Sequence, residues 1–269
     1  LNDSRIAFIG AGNMANSLIL GLLAKGVPAA NVGACDIDQD RLATLRQDCG
    51  IRTGTLAEMA ADAEVLVLAV KPQVLAEVCA TLQPLLSSRS PLIISIAAGI
   101  PLRSLEQWLG ASQAVVRCMP NTPALVLEGA TGLFANTNTS AAQKTLAEDI
   151  LSAVGISRWL DSEDDINAVT ALSGSGPAYY FLLMEAMEEA AVAMGLAPEM
   201  ARALTIQTAL GAAKLAASSD VAPDELRRRV TSPGGTTQAA IESFESEGFR
   251  DLVSRALKAA QQRSIELAG

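Results

Sequence analysis

The 269-residue chain contains no histidine. That absence removes Ser-His-Asp and Cys-His machinery, His-ligated zinc, and any dehydrogenase in which an imidazole supplies the proton. Aromatic residues make up only 3% of the chain although half of it is hydrophobic. The core must therefore be built from Ala, Leu, Val and Ile, which favours close-packed helices and an α/β sheet. The four cysteines, Cys35, Cys49, Cys79 and Cys118, form neither a C-x-x-C pair nor a metal-ligand spacing. They read as small buried hydrophobes in a reducing cytoplasm, and no metal is expected. Positive charge is also scarce: the net charge of −9 argues against a nucleic-acid surface and leaves small-molecule chemistry. Long apolar runs are missing too. The one before Gly10 is too short for a signal peptide and is needed as a strand, and later ones are broken by Glu185, Glu188, Glu189 or proline. A soluble, cytoplasmic protein with no membrane span is expected.

What is present is an alternation of short Val/Ile-rich runs with helical patterns. Strands are expected at Arg5 to Ile9, Val32 to Asp36, Val65 to Val70, Leu92 to Ile96 and Val115 to Met119. Helices are expected at Asn13 to Lys25, Arg41 to Cys49, Pro72 to Leu82 and Leu102 to Leu109. This alternation spells a Rossmann-like, doubly wound parallel sheet of class α/β. A weaker strand pair, Gly132 to Phe134 and Ser157 to Leu160, flanks a helix at Ala141 to Val154 and would extend it. After Asp161 the pattern turns helical throughout, with helices at Asp164 to Leu172, Pro177 to Met194, Pro198 to Ala217, Pro223 to Val230, Thr236 to Glu247 and Phe249 to Leu267. The expected division is a dinucleotide-binding domain over residues 1–161 and an all-helical dimerisation and substrate domain over 162–269. The Pro177 to Met194 helix is apolar over much of its circumference, which points to burial between chains in a homodimer.

Two glycine-rich turns carry the chemistry. Gly10-x-Gly12-x-x-Ala15 follows a strand and opens a helix, the position of a turn that holds a dinucleotide pyrophosphate. The residues placed there are Ile9, Gly10, Ala11, Gly12, Asn13 and Met14. At the end of the next strand Cys35 and Asp36 are expected to contact the cofactor; Asp36 would bond the ribose 2′-OH of NAD, whereas Arg41 would accommodate the 2′-phosphate of NADP. In an open α/β sheet the carboxyl ends of strands line the ligand crevice, so Ala69, Val70, Lys71, Pro72, Ala97 and Asn121 complete the expected cofactor contacts. The second turn, Ser232 to Thr237, is built to aim backbone N–H groups at an anion from a helix start. Ser173-Gly174-Ser175-Gly176 reads as a close helix crossing, with catalysis by either serine as the alternative. Arg227-Arg228-Arg229 reads as a solvated helix face.

Five segments, in order over essentially the whole chain, resemble the pyrroline-5-carboxylate reductase family. They are Gly10-Ala11-Gly12-Asn13-Met14, Val70-Lys71-Pro72-Gln73, Met119-Pro120-Asn121-Thr122-Pro123-Ala124, Leu172-Ser173-Gly174-Ser175-Gly176-Pro177-Ala178-Tyr179 and Ser232-Pro233-Gly234-Gly235-Thr236-Thr237. The resemblance implies reduction of L-1-pyrroline-5-carboxylate to L-proline with NADPH or NADH, the last step of proline biosynthesis. It also implies a helical domain exchanged in a homodimer, and often a ring of dimers, a decamer. It places the Thr237 hydroxyl beside the substrate nitrogen as the catalytic group, Ser232, Gly234, Gly235 and Thr236 around the substrate carboxylate, and Glu163 and Asp220 near the ring. Cys35-Asp36 departs from the neutral, hydroxyl-rich strand end common in NADPH-preferring members. A hydroxyacid reductase of the same shape would need a lysine in the helical domain, and Lys214 and Lys258 have no flanking motif. A non-catalytic dinucleotide sensor is the other reading.

Overall fold

The computed structural model describes residues 1–86 and 90–268. Four apolar runs, β1 (Ile6–Ile9), β2 (Val32–Cys35), β4 (Val65–Leu68) and β5 (Leu92–Ser95), are buried at every position, as strands covered on both faces must be. With β3 (Arg52–Thr53), β6 (Val115–Met119), β7 (Gly129–Ala135) and β8 (Gly155–Trp159) they form one sheet in the order β3-β2-β1-β4-β5-β6-β7-β8. Pairing is parallel from β3 to β6, β7 runs antiparallel to β6, and β8 runs parallel to β7. Ile9 pairs with both Cys35 and Leu68, so the carboxyl ends of β1, β2 and β4 lie level where the strand order reverses. That reversal is where such sheets bind ligands.

Alternate residues feed two cores on opposite faces of the sheet. Phe8, Leu18, Ile19, Leu22 and Ile94 share one, and Ile9, Leu66, Leu75, Cys79 and Leu105 the other. The helices between strands are α1 (Asn13–Ala24), α2 (Gln39–Cys49), α3 (Leu56–Asp62), α4 (Pro72–Leu82), α5 (Leu102–Leu109) and α6 (Ala141–Leu151). The α2 helix starts two residues before its expected start because Asp38 caps it, accepting the Arg41 N–H, and Gly50 ends it in the left-handed conformation.

The segment after Asp161 packs differently from the expected division. The short α7 (Asp165–Val169) passes into a π-helical turn, Thr170–Gly174. Ile166 and Ala171 are buried against the sheet, and Ser264 Oγ donates to Asn167 Oδ1 at 2.9 Å. The first compact unit is therefore Leu1–Ser175 together with the chain from Ala260 on, and the second is Gly176–Ala259. Packing divides the chain after Ser175, later than the change in sequence pattern at 161, because α7 and the π turn bury their apolar side chains on β6 and β7.

The second unit is wholly helical: α8 (Gly176–Ala193), α9 (Pro198–Ala217), α10 (Pro223–Arg229), α11 (Thr236–Ser246) and the first part of α12 (Phe249–Ala268). It leaves Tyr180, Phe181, Leu182, Leu183 and Met187 of α8 exposed, together with Leu204, Ile206 and Leu210 of α9. No helix among the described residues is long and apolar enough to cross a membrane.

Candidate active site

The first site lies at the carboxyl edge of the sheet. Gly10 adopts φ 102° and donates its N–H to the Cys35 carbonyl at 2.8 Å, and a Cβ there would fall 2.7 Å from the Ala69 carbonyl oxygen. Only glycine fits. Gly12 differs: the nearest atom to a Cβ built there is Arg41 Nη1 at 4.0 Å, so the chain's own packing does not call for glycine. It is the N-cap of α1 with no side-chain cap, which leaves the first N–H groups of the helix for an anion, with Arg41 overhead and Ala15 buried beneath. A dinucleotide pyrophosphate fits this cradle.

Asp36 is already engaged. Its Oδ2 accepts the Ala11 N–H at 2.6 Å and its Oδ1 accepts the Asp38 N–H at 2.8 Å, so the carboxylate braces the glycine turn from below. Arg41 is held from the other side by Asp38, Nε to Oδ2 3.2 Å, and is exposed. Ile9, Ala11 and Ala97 are buried and can offer only backbone to a ligand, whereas Asn13 and Lys71 are exposed and Met14, Ala69, Val70 and Pro72 half-buried around the crevice. Burial lifts the Cys35 thiol to about 11 against a lowering by the Gly10 N–H, and lifts Cys79 to about 12. These thiols stay protonated and are not nucleophiles.

Two expected ligand contacts turn inward. Asn121 spans two backbone groups, accepting the Ala130 N–H at 2.8 Å and donating to the Ser173 carbonyl at 3.0 Å. Glu163 Oε1 accepts from the buried Arg117 guanidinium and from the Leu102 N–H, both at 2.7 Å, and so joins β6 to the start of α5. Ser173 Oγ donates to the Val169 carbonyl, as a serine inside a helix does.

The second turn belongs to the helical unit. Gly234 takes φ 71°, Gly235 is the N-cap of α11 without a side-chain cap, and Thr236 and Thr237 are the first two helical residues. Thr237 is exposed and does not cap the helix. The Gly234 N–H donates to Gln238 Oε1 at 2.7 Å, and Gln238 is in turn tied to Glu242, Nε2 to Oε1 2.6 Å. Gln238 was not among the expected site residues, although a glutamine at the third position of a helix, from which its side chain reaches back to the backbone before the first turn, was a readable signal. Asp220 is exposed between α9 and α10. Two of the three arginines of α10, Arg228 and Arg229, pair with Glu225.

Residues 163–267 match the family described as pyrroline-5-carboxylate reductase dimerisation, and residues 5–99 match that described as NADP oxidoreductase, coenzyme F420-dependent. A pyrroline-5-carboxylate reductase of Pseudomonas aeruginosa is 59% identical over 100% of this chain and 98% of its own length, and one of Haemophilus influenzae is 44% identical over 97% of each. Among solved structures, a pyrroline-5-carboxylate reductase of Coxiella burnetii superposes with a TM-score of 0.97 at 46% identity, covering 100% of both chains. A Plasmodium falciparum pyrroline carboxylate reductase with NADP bound gives 0.86 at 30% identity, again covering 100% of both. With its Rossmann-like unit, its helical unit and likeness along its full length, this chain belongs to the pyrroline-5-carboxylate reductase family.

Proposed function

We propose that this chain reduces L-1-pyrroline-5-carboxylate to L-proline, the last step of proline biosynthesis, with NADPH as the principal cofactor and NADH as the alternative. The observation that carries this reading is the full-length likeness to reductases of that name, with both glycine turns intact. When bound, the cofactor supplies the hydride that reduces C5 of the ring's protonated C=N bond. The chain's residues hold and orient. Gly12 and the uncapped start of α1 take the pyrophosphate, and Arg41 takes the 2′-phosphate, since both Asp36 oxygens are taken by backbone N–H groups, of Ala11 and of Asp38. Ser232 and Thr236 hold the substrate carboxylate at the start of α11, where the Gly235 N–H is already given to the Ser232 carbonyl at 3.0 Å, and the Thr237 hydroxyl orients the ring nitrogen. Asp220 lies free to approach the ring, whereas Glu163 serves the frame. Because the protonated imine is already electrophilic, orientation supplies much of the acceleration and no histidine is needed.

The working unit is a homodimer that covers the apolar face of α8 and α9, and we expect the dimers to assemble into a ring of five in the cytoplasm, where unpaired thiols persist. The test is NADPH and NADH oxidation with and without pyrroline-5-carboxylate, with proline as the product assayed. Oxidation that ignores the substrate would overturn the reading, and a folded, active monomer by sedimentation would overturn the dimer.

A further inference from the structure

Asn121 lies two residues past the end of β6, at the edge of the sheet where the nicotinamide end of a dinucleotide is expected. It is 8% exposed, and both ends of its amide are used. The acceptor faces the Ala130 N–H and the donor faces the Ser173 carbonyl, so the surroundings dictate which end is which. Ser173 has a reason to need that donor. A helical carbonyl is normally paired with the N–H four residues on, and here that residue is Pro177, which has none. The chain bends the preceding turn into a π turn, in which the Thr170 carbonyl takes the Ser175 N–H at 2.8 Å. Such turns recur at functional sites. The same turn lies against the end of β6: a Cβ at Gly174 would fall 2.5 Å from the Met119 methyl.

We propose that Asn121 is a positioning residue for hydride transfer, replacing the N–H that Pro177 lacks and thereby pinning the strand-end loop 120–123 to the π turn. Its catalytic consequence rests on the reductase reading above. Asparagine suits the place because one planar group must give and accept at once, and neither aspartate, leucine nor alanine does both at neutral pH. Loss of the link frees the loop that lines the nicotinamide end while leaving the carboxylate turn of α11 as it was. The cost should therefore fall on kcat more than on KM for pyrroline-5-carboxylate.

The first test is Asn121→Asp. The charged side chain still accepts the Ala130 N–H but sets an oxygen against the Ser173 carbonyl, so kcat should fall on the order of tenfold, with KM for the imine changed far less. On acidification the carboxyl gains an O–H that can donate to Ser173. The ratio of variant to wild-type kcat should then rise as the pH falls, a signature that mere destabilisation does not produce. An unchanged kcat, or a lowered one with a flat ratio, would overturn the assignment. The second test is a cycle of Asn121→Ala and Pro177→Ala. Alanine at 177 returns an N–H to the helix, so Asn121→Ala should cost clearly less in the Pro177→Ala background, and an equal cost in both would overturn the replacement idea. Amide exchange of Ala130 and Ser175 reads the link without catalysis: both should lose protection in Asn121→Ala, and unchanged protection would overturn the pinning. If the wild type itself were inert toward pyrroline-5-carboxylate, the reductase reading would fail and exchange would still decide the link.

Discussion

Gly10 and Gly234 both stand in the left-handed region, with φ 102° and 71°, and each precedes a helix whose N-cap is a bare glycine. Their surroundings differ. Gly10 is enclosed by Ala69 and Val70 and its turn is braced by Asp36, whereas nothing lies within 4 Å of a Cβ at Gly234, whose turn is held by Gln238 from its own helix. The same contrast runs through the two units. One buries four of its strands at every position; the other exposes phenylalanine, tyrosine and leucine along α8. The first turn is thus fixed by the fold around it, and the second is a surface feature whose ordering depends on its own helix and on what binds to it.

The strongest way to break this comparison is to fill the two glycines. Gly10→Val meets both the backbone strain and the Ala69 carbonyl and should cost about 4 kcal/mol, a fall in Tm of roughly 10 °C, whereas Gly234→Val faces the strain alone, about 1 kcal/mol. Equal losses in paired melting curves would mean the turns are equally enclosed. Thr237→Ala should lower kcat/KM on the order of tenfold with Tm nearly unchanged, because Gly235 and not Thr237 is the N-cap of the helix. A lower Tm with normal kinetics would make Thr237 a structural residue.

Asp36 and Arg41 sharpen the comparison at the first turn. Asp36→Ser removes the brace on Ala11 and should weaken NADPH and NADH alike, by about fivefold, whereas Arg41→Ala should weaken NADPH selectively. If Asp36→Ser only shifted preference toward NADPH, measured as a ratio of catalytic efficiencies, its carboxylate would be reading the ribose. The smallest effect concerns the frame. Burial works to raise the Asp62 carboxyl, but hydrogen bonds from Arg5 and Arg52 outweigh it and hold the group below its ordinary value. A lowered carboxyl stabilises the fold above its unfolded value near ~3.9 and ceases to do so as the pH falls through the folded one. Asp62→Asn should therefore lower the urea midpoint slightly at pH 7, and the difference should shrink as the pH falls through the folded value; a difference that stays constant on acidification would assign the effect to something other than ionisation.

Most of the frame was legible because it is written locally. Four-residue apolar runs, Pro72 and Pro198 at helix starts, and Gly10-x-Gly12 after a strand each specify an element from neighbouring residues alone. Among the described residues one strand and one α-helix escaped. The strand β3 is only two residues long, and α3 follows a capping box, Thr55 with Glu58, that was present to be read. The sites were legible as places more than as roles. Asp36, Asn121 and Glu163 carry the right groups for ligand contacts, yet each is turned toward a backbone or side-chain partner 25, 52 or 46 residues away in sequence. No spacing rule announces a partner at such separation.

The sequence by itself determined the order of all but one strand and one helix of the α/β frame, the two glycine turns with their uncapped helix starts, and a chemistry without imidazole. Tertiary structure alone decided that the first packing unit runs on to Ser175, that Asp36 serves the turn, that Asn121 and Glu163 serve the frame, and that Gln238 secures the second turn. The physical reason is that backbone propensity and hydrophobic period act over a few residues. A buried polar side chain must instead find its partner among whatever groups the completed fold brings within about 3 Å.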